Sequence, residues 1–188
     1  MGDLESSFDQ PQGGVRAPEF NSGREKLIVE IGSAGLLTPN LPGVERYLKK
    51  RGANYLGVDP DPISADVGTK PWAKLLSADI FEVEGLENRA DEVWMRNLMG
   101  VRDGDFATRI FSKAFNILRR RGGLIFWDSY SGLGGEVLEQ IKNILGQVGF
   151  TAIQEEDDRR SKHPFVTSLI GNDKRFNTPR VLVTAKKG

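Results

Sequence analysis

Apolar positions along the chain fall into two alternating textures: short β-branched runs and longer stretches at helical spacing. Lys26-Leu27-Ile28-Val29-Glu30-Ile31 is a compact run ending at Gly32, the pattern of a buried strand entering a turn. Val44 to Arg51 then reads as a helix, with Pro42 tolerable in its first turn and Gly52 beyond its end. Tyr55-Leu56-Gly57-Val58 predicts a second strand, stopped by Asp59-Pro60-Asp61-Pro62. Lys74 to Ile80 predicts a third strand and Asp91 to Met95 a fourth.

The clearest periodicity is the stripe Phe106, Ile110, Phe111, Ala114, Phe115 and Leu118, which predicts a helix capped by Asp103. Arg119, Arg120 and Arg121 would occupy its last turn, where cations suit the helix dipole, with Gly122 after them. Gly123 to Trp127 is continuous and apolar, as a strand buried on both faces should be. A second amphipathic helix over 136–148 rests on Val137, Leu138, Ile141, Ile144, Leu145 and Val148. Phe150–Gln154 and Val181–Ala185 read as late strands without a clear helix between them, so the last strand should enter antiparallel. The acidic run Glu155 to Asp158 reads as a solvated loop. Strands alternating with helices predict an α/β sandwich around a mostly parallel sheet.

Composition narrows the chemistry. At 188 residues, 38% hydrophobic and 28% charged, the chain suits one domain with its own core. Residues 1–25 have no periodic apolar face and read as a flexible leader to a domain over 26–188; a lid anchored by Phe8 and Phe20 is the alternative. With no cysteine and one histidine, disulfide scaffolds, thiolate or multi-His metal sites and a Cys nucleophile are excluded. No metal is expected. Zero net charge argues against a generally basic nucleic-acid binder and leaves room only for a local patch, such as the basic residues around His163 with Lys174 and Arg175. No apolar run approaches the ~18 residues of a spanning helix, and no export signal is present, which points to a cytoplasmic protein without a membrane partner.

Ligands of open α/β sheets collect at the carboxyl ends of the strands. After the first strand comes Gly32-Ser33-Ala34-Gly35, preceded by Glu30, a loop whose free N–H groups can approach a ligand closely. After the second comes Asp59 with Pro60, a carboxylate placed to accept both hydroxyls of a ribose. After the third comes Asp79 beside Ile80, suited to an adenine amino group and ring face. Asn97 follows the fourth strand, and Asp128 and Tyr130 follow the fifth. His163 is the only side chain with an unperturbed pKa near neutrality, and so the default general base.

This ordered set resembles the class I S-adenosylmethionine-dependent methyltransferases over about residues 26–187. VEIGSAG stands where that family has its glycine-rich first motif, YLGVDPD and LLSADI match its second and third strand ends, and ADEVWMRNL its fourth. LRRRGGLIFWDS matches its helix, glycine pair and fifth strand, and RVLVTAKK its closing antiparallel strand. The resemblance implies a Rossmann-like three-layer sandwich with a seven-stranded sheet in order 3-2-1-4-5-7-6. It also implies S-adenosylmethionine as cofactor. Gly32, Ser33, Ala34 and Gly35 would then hold the methionine portion, Asp59 and Pro60 the ribose, and Asp79 and Ile80 the adenine. Glu30 would orient the loop or the cofactor amino group, and Asn97 would border the cofactor. Asn97, Asp128, Tyr130 and His163 are the candidates to position or deprotonate a methyl acceptor, for which a small molecule fits better than nucleic acid. The positions alternating after Gly32 are Ala34 and Leu36, with Gly35 out of phase. That departure leaves a second reading, a methyltransferase-like binding or scaffold protein without turnover. A nicotinamide-dependent oxidoreductase ranks lower because G-x-G-x-x-G is absent.

Overall fold

The computed structural model describes residues 14–32, 42–61, 70–96, 101, 103–128, 135–157, 163 and 181–188. Nine strands occur among them: β1 (Val15–Arg16), β2 (Lys26–Ile31), β3 (Ala53–Asp59), β4 (Ala73–Ser77), β5 (Val83–Glu84), β6 (Ala90–Arg96), β7 (Leu118–Asp128), β8 (Phe150–Asp157) and β9 (Val181–Lys187). The helices are α1 (Pro42–Arg51), α2 (Gly104–Ile117) and α3 (Gly135–Val148). β1 and β5 form a small parallel pair, and the other seven strands form one sheet in the order β4-β3-β2-β6-β7-β9-β8. Numbered within that sheet alone, the order is the expected 3-2-1-4-5-7-6. Only β9 runs against its neighbours.

Side-chain alternation along the strands divides the core in two. Leu27, Val29 and Ile31 of β2 join Val93, Met95, Leu124 and Phe126 beneath α2 and α3. Ile28 faces the other way and joins Tyr55, Trp94, Ile125 and Trp127 against Val44 and Leu48 of α1. Glu30 shares the α1 face with Ile28, because β2 has a period of two. Among the described residues no helix is long and apolar enough to cross a membrane.

Three expectations change. Residues 14–25 are not a detached leader. Val15 N–H donates to Glu82 O at 3.0 Å and Ala17 N–H to Glu84 O at 2.9 Å, which pairs β1 with β5. The Arg24 guanidinium then donates to Ala53 O at 2.7 Å and stacks over Trp72, and Phe20 packs against the core. Unpaired strand edges supply the partners that a sequence pattern cannot show. Phe8 lies outside the described residues.

The acidic run is also no loop: Glu155, Glu156 and Asp157 pair with β9 as the end of β8. An edge strand tolerates such charges and uses them to deter further pairing. Asp158 lies outside the described residues.

The third change concerns the arginines. Asp103 caps α2 as expected, accepting from the Asp105 and Phe106 N–H groups, but the helix ends at Ile117 and Leu118 is already extended. Arg119, Arg120 and Arg121 therefore belong to β7. The cation at the helix end comes instead from β9: Lys187 Nζ donates to Phe115 O at 2.9 Å and Leu118 O at 2.7 Å. The three arginines are extruded from the ladder, because Ala90 faces Leu118 while Glu92 already faces Gly123. Arg121 takes φ 63°, and a Cβ on Gly122 would stand 2.8 Å from Arg119 O, so the bulge is tight. Arg121→Gly should raise stability by about 1 kcal/mol by removing the left-handed penalty. Urea unfolding checks this, and a loss of stability would show that the bulge stores no strain.

Candidate active site

The strand order reverses between β2 and β6, where ligands of open α/β sheets settle. Gly32 leaves β2 with φ 74°, and its N–H donates to Val58 O at 2.9 Å, so the turn starts in register with β3. Asp59 ends β3 with only 5% exposure. Its Oδ1 accepts the Asp61 N–H at 3.0 Å, and its carbonyl accepts the Ala78 N–H at 2.9 Å. The first bond closes the turn after β3, and the second joins the ends of β3 and β4. Pro60 is exposed beside it.

Asp79 is exposed, and its Oδ1 accepts the Phe81 N–H at 3.0 Å in a local turn. Ile80 is buried in the core beneath α2, so it floors this loop. The structure thus brings Gly32, Asp59 and Asp79 to the carboxyl ends of three adjacent strands. Ser33, Ala34, Gly35, Asn97 and Tyr130 lie outside the described residues, and of Asp128 only its backbone place at the end of β7 is described.

Glu30 has no solvent exposure, and both its oxygens are engaged. Oε1 lies 3.1 Å from Arg96 Nη2, and Oε2 accepts the Tyr55 hydroxyl at 2.5 Å. A carboxylate on β2 therefore ties β3 to β6, one residue inside the end of its strand. Arg96 and Tyr55 were not paired with Glu30 in the sequence; the available signal was an acid and a base, each near the carboxyl end of a buried strand. Removing one member of such a pair leaves a buried charge uncompensated. Glu30→Gln should cost about 3–5 kcal/mol in urea unfolding, and Glu30→Leu combined with Arg96→Met should recover most of it. Equal stability of wild type and Glu30→Gln would contradict this role.

Farther toward the amino ends, Glu92 of β6 gathers four partners. Oε1 accepts the Tyr47 hydroxyl at 2.7 Å and lies 3.2 Å from Arg51 Nη2. Oε2 accepts the Trp94 indole N–H at 2.9 Å and lies 3.7 Å from His163 Nε2. His163 also packs edge-on against Trp94 and Tyr47. Burial pushes the Glu92 carboxyl up, but the nearby His163 and the hydrogen bonds from Tyr47 and Trp94 outweigh it and hold its pKa at about 2. Burial and the Glu92 charge push the Tyr47 hydroxyl upward, so it remains a donor. Glu92 precedes Arg96 by four residues, roughly 13 Å along the strand. The histidine is thus held away from Gly32 and Asp59. No sequence pattern marked this cluster, since its members come from α1, β6 and a distant segment.

A depressed folded pKa contributes stability that is complete above the unfolded value and is lost as pH falls through the folded one. For Glu92 that window runs from about 4.5 down to about 2 and amounts to roughly 3 kcal/mol. Glu92→Gln should flatten the fall in stability across this window, measured by denaturant unfolding at stepped pH. An unchanged slope would remove Glu92 from the acid response.

The 16S rRNA (adenine(1408)-N(1))-methyltransferase from Catenulisporales acidiphilia superposes with a TM-score of 0.63 at 17% identity, covering 87% of this chain and 88% of that one. The aminoglycoside resistance methyltransferase NpmB1 gives 0.62 at 11% identity, covering 89% of each. The Haemonchus contortus phosphoethanolamine N-methyltransferase 2, solved with S-adenosyl-L-methionine, gives 0.58 at 18% identity over 87% of this chain. The fold is that of the class I S-adenosylmethionine-dependent methyltransferases. The chain spans about half the length of the Haemonchus enzyme, 49%. No protein-family model matches the chain, and no curated protein matches it.

Proposed function

We propose that the chain is an S-adenosylmethionine-dependent methyltransferase acting on a small, neutral or cationic nucleophile. The observation that carries the reading is the row formed by Gly32, Asp59 and Asp79 at three neighbouring strand ends beside the reversal of strand order. In this reading the methionine portion of the cofactor lies against the Gly32 turn, with Ser33, Ala34 and Gly35 continuing that contact. Asp59, beside Pro60, accepts the ribose hydroxyls. Asp79 accepts the adenine amino group over the loop that Ile80 floors. Glu30 acts through Arg96 and Tyr55, holding the end of β2 rather than touching ligand.

Bound S-adenosylmethionine supplies a methyl group on a sulfonium that is already activated for displacement. The protein's share is alignment and the exclusion of water. An acceptor that carries a proton must release it. Asn97, Asp128 and Tyr130 follow strands at this edge and are placed by sequence to orient the acceptor or take that proton. His163, committed to Glu92, serves better as a tether. Asp59, Asp61 and Asp79 make this edge acidic, which disfavours a phosphate-bearing acceptor and favours an amine.

Calorimetric titration with S-adenosylmethionine tests the reading, with NAD as the competing ligand. Micromolar binding of the methyl donor should weaken at least about tenfold in Asp59→Ala, the loss of one charge-assisted bond. If neither ligand binds, the altered Gly32–Leu36 loop marks a methyltransferase-like scaffold without turnover. Binding of NAD alone would assign an oxidoreductase.

A further inference from the structure

The extruded arginines of β7 roof a cleft at the amino edge of the sheet, which the proposed reaction does not use. Along β2 that edge, at Lys26, is six residues from Gly32, roughly 20 Å. The cleft has a volume of about 430 Å³, and its basic lining is Lys26, Arg51, Arg119, Arg120, Arg121 and Lys186. Its only acidic members are Asp91 and Glu92, so six cations against two carboxylates leave a formal +4. The whole chain carries no net charge, which makes this concentration local.

Both carboxylates are already committed. Asp91 Oδ2 accepts the Leu27 N–H at 3.0 Å, and its Oδ1 pairs with Arg119. Glu92 holds Arg51 together with Tyr47, Trp94 and His163. Among the described residues, Lys26, Arg120, Arg121 and Lys186 have no ion-pair partner. Bringing them together works against their mutual repulsion, and the bulge that presents two of them also holds Arg121 in the left-handed region. An anion in the cleft offsets the repulsion. The planar forks of Arg120 and Arg121 suit the paired oxygens of phosphate, and the lysines add point charge.

We propose that this cleft is a binding site for a multiply charged phosphate group. An adjoining groove of about 350 Å³ shares Arg51, Glu92 and Lys186 with it and is walled by Tyr47 and Ile125. The organic portion of a phosphorylated ligand has an apolar surface there. The site is separate from the carboxyl edge and does not depend on the cofactor assignment.

The test titrates the full chain with inorganic tripolyphosphate, and in parallel with a short single-stranded oligouridine. Tripolyphosphate should bind saturably at one site, weaken as salt rises, and bind about 30-fold more weakly to Arg120→Gln/Arg121→Gly. Lys186→Gln is the second variant, and thermal melting confirms that each is folded. Asp59→Ala should bind tripolyphosphate as wild type does. Oligouridine binding that tripolyphosphate displaces, and that the double variant loses, would identify the phosphate as that of a nucleic-acid backbone. Binding of tripolyphosphate alone would identify a free phosphorylated ligand. The proposal is overturned if neither probe saturates, if both folded variants bind as tightly as wild type, or if folded Asp59→Ala loses the binding.

Discussion

A fully buried carboxylate holds the middle of the sheet. Glu30 sits on β2 opposite Gly57 of β3 and Trp94 of β6, beside the reversal of chain order between β2 and β6. Its two oxygens reach one group on each neighbour, the Tyr55 hydroxyl and the Arg96 guanidinium. Desolvating such a pair is expensive, and an apolar substitute would pack at less cost, so its value lies in specificity. A slip of β2 by one residue would turn Glu30 toward α2 and α3 and leave Arg96 buried without its counter-charge. Register is therefore set electrostatically where it matters most. Two residues later Gly32 begins the turn, and its bond to Val58 repeats the same alignment.

Zero net charge conceals a strong segregation of charge along the strand direction. Asp59, Asp61 and Asp79 stand at the carboxyl edge, whereas the arginines of the β7 bulge, Lys26 and Lys186 stand at the amino edge. Glu92 lies between, where it gathers α1 through Tyr47 and Arg51 and the distant His163. Among the described residues acids gather at the carboxyl edge and cations outnumber acids at the amino edge, and an approaching charged molecule is steered by the local field rather than by the total. The proposed sulfonium cofactor at the acidic edge and the proposed phosphate ligand at the basic edge are chemically compatible on one domain because the sheet keeps them a strand length apart.

What was legible in the sequence was legible for local reasons. The run before Gly32, the stripe from Phe106 to Leu118 and the Asp103 cap each satisfy rules that operate within a few residues, and all three appear in the structure except that Leu118 falls just outside the helix. The polar residues placed at strand ends were readable too, because the turn chemistry of Asp59-Pro60 and the position of Asp79 follow directly from where strands stop. Other features have partners far along the chain. The end of α2 is capped by Lys187, 69 residues beyond Leu118, and without that cation in view the arginines looked like its last turn. Residues 14–25 looked like a leader because β5, their partner, lies about a third of the chain away.

The sequence by itself determined the alternation of the seven main-sheet strands with the helices, the antiparallel entry of the last strand, and the acids at two neighbouring strand ends. Those follow from periodicity and turn propensity, which are properties of neighbouring residues. Only the tertiary structure decided which charges are spent and which remain. It spent Glu30 on Arg96 and Glu92 on its four partners, and it pushed Arg120 and Arg121 out of the ladder into a cleft where, among the described residues, they have no ion-pair partner. Charge pairing depends on distances across strands, and those distances exist only once the sheet has closed.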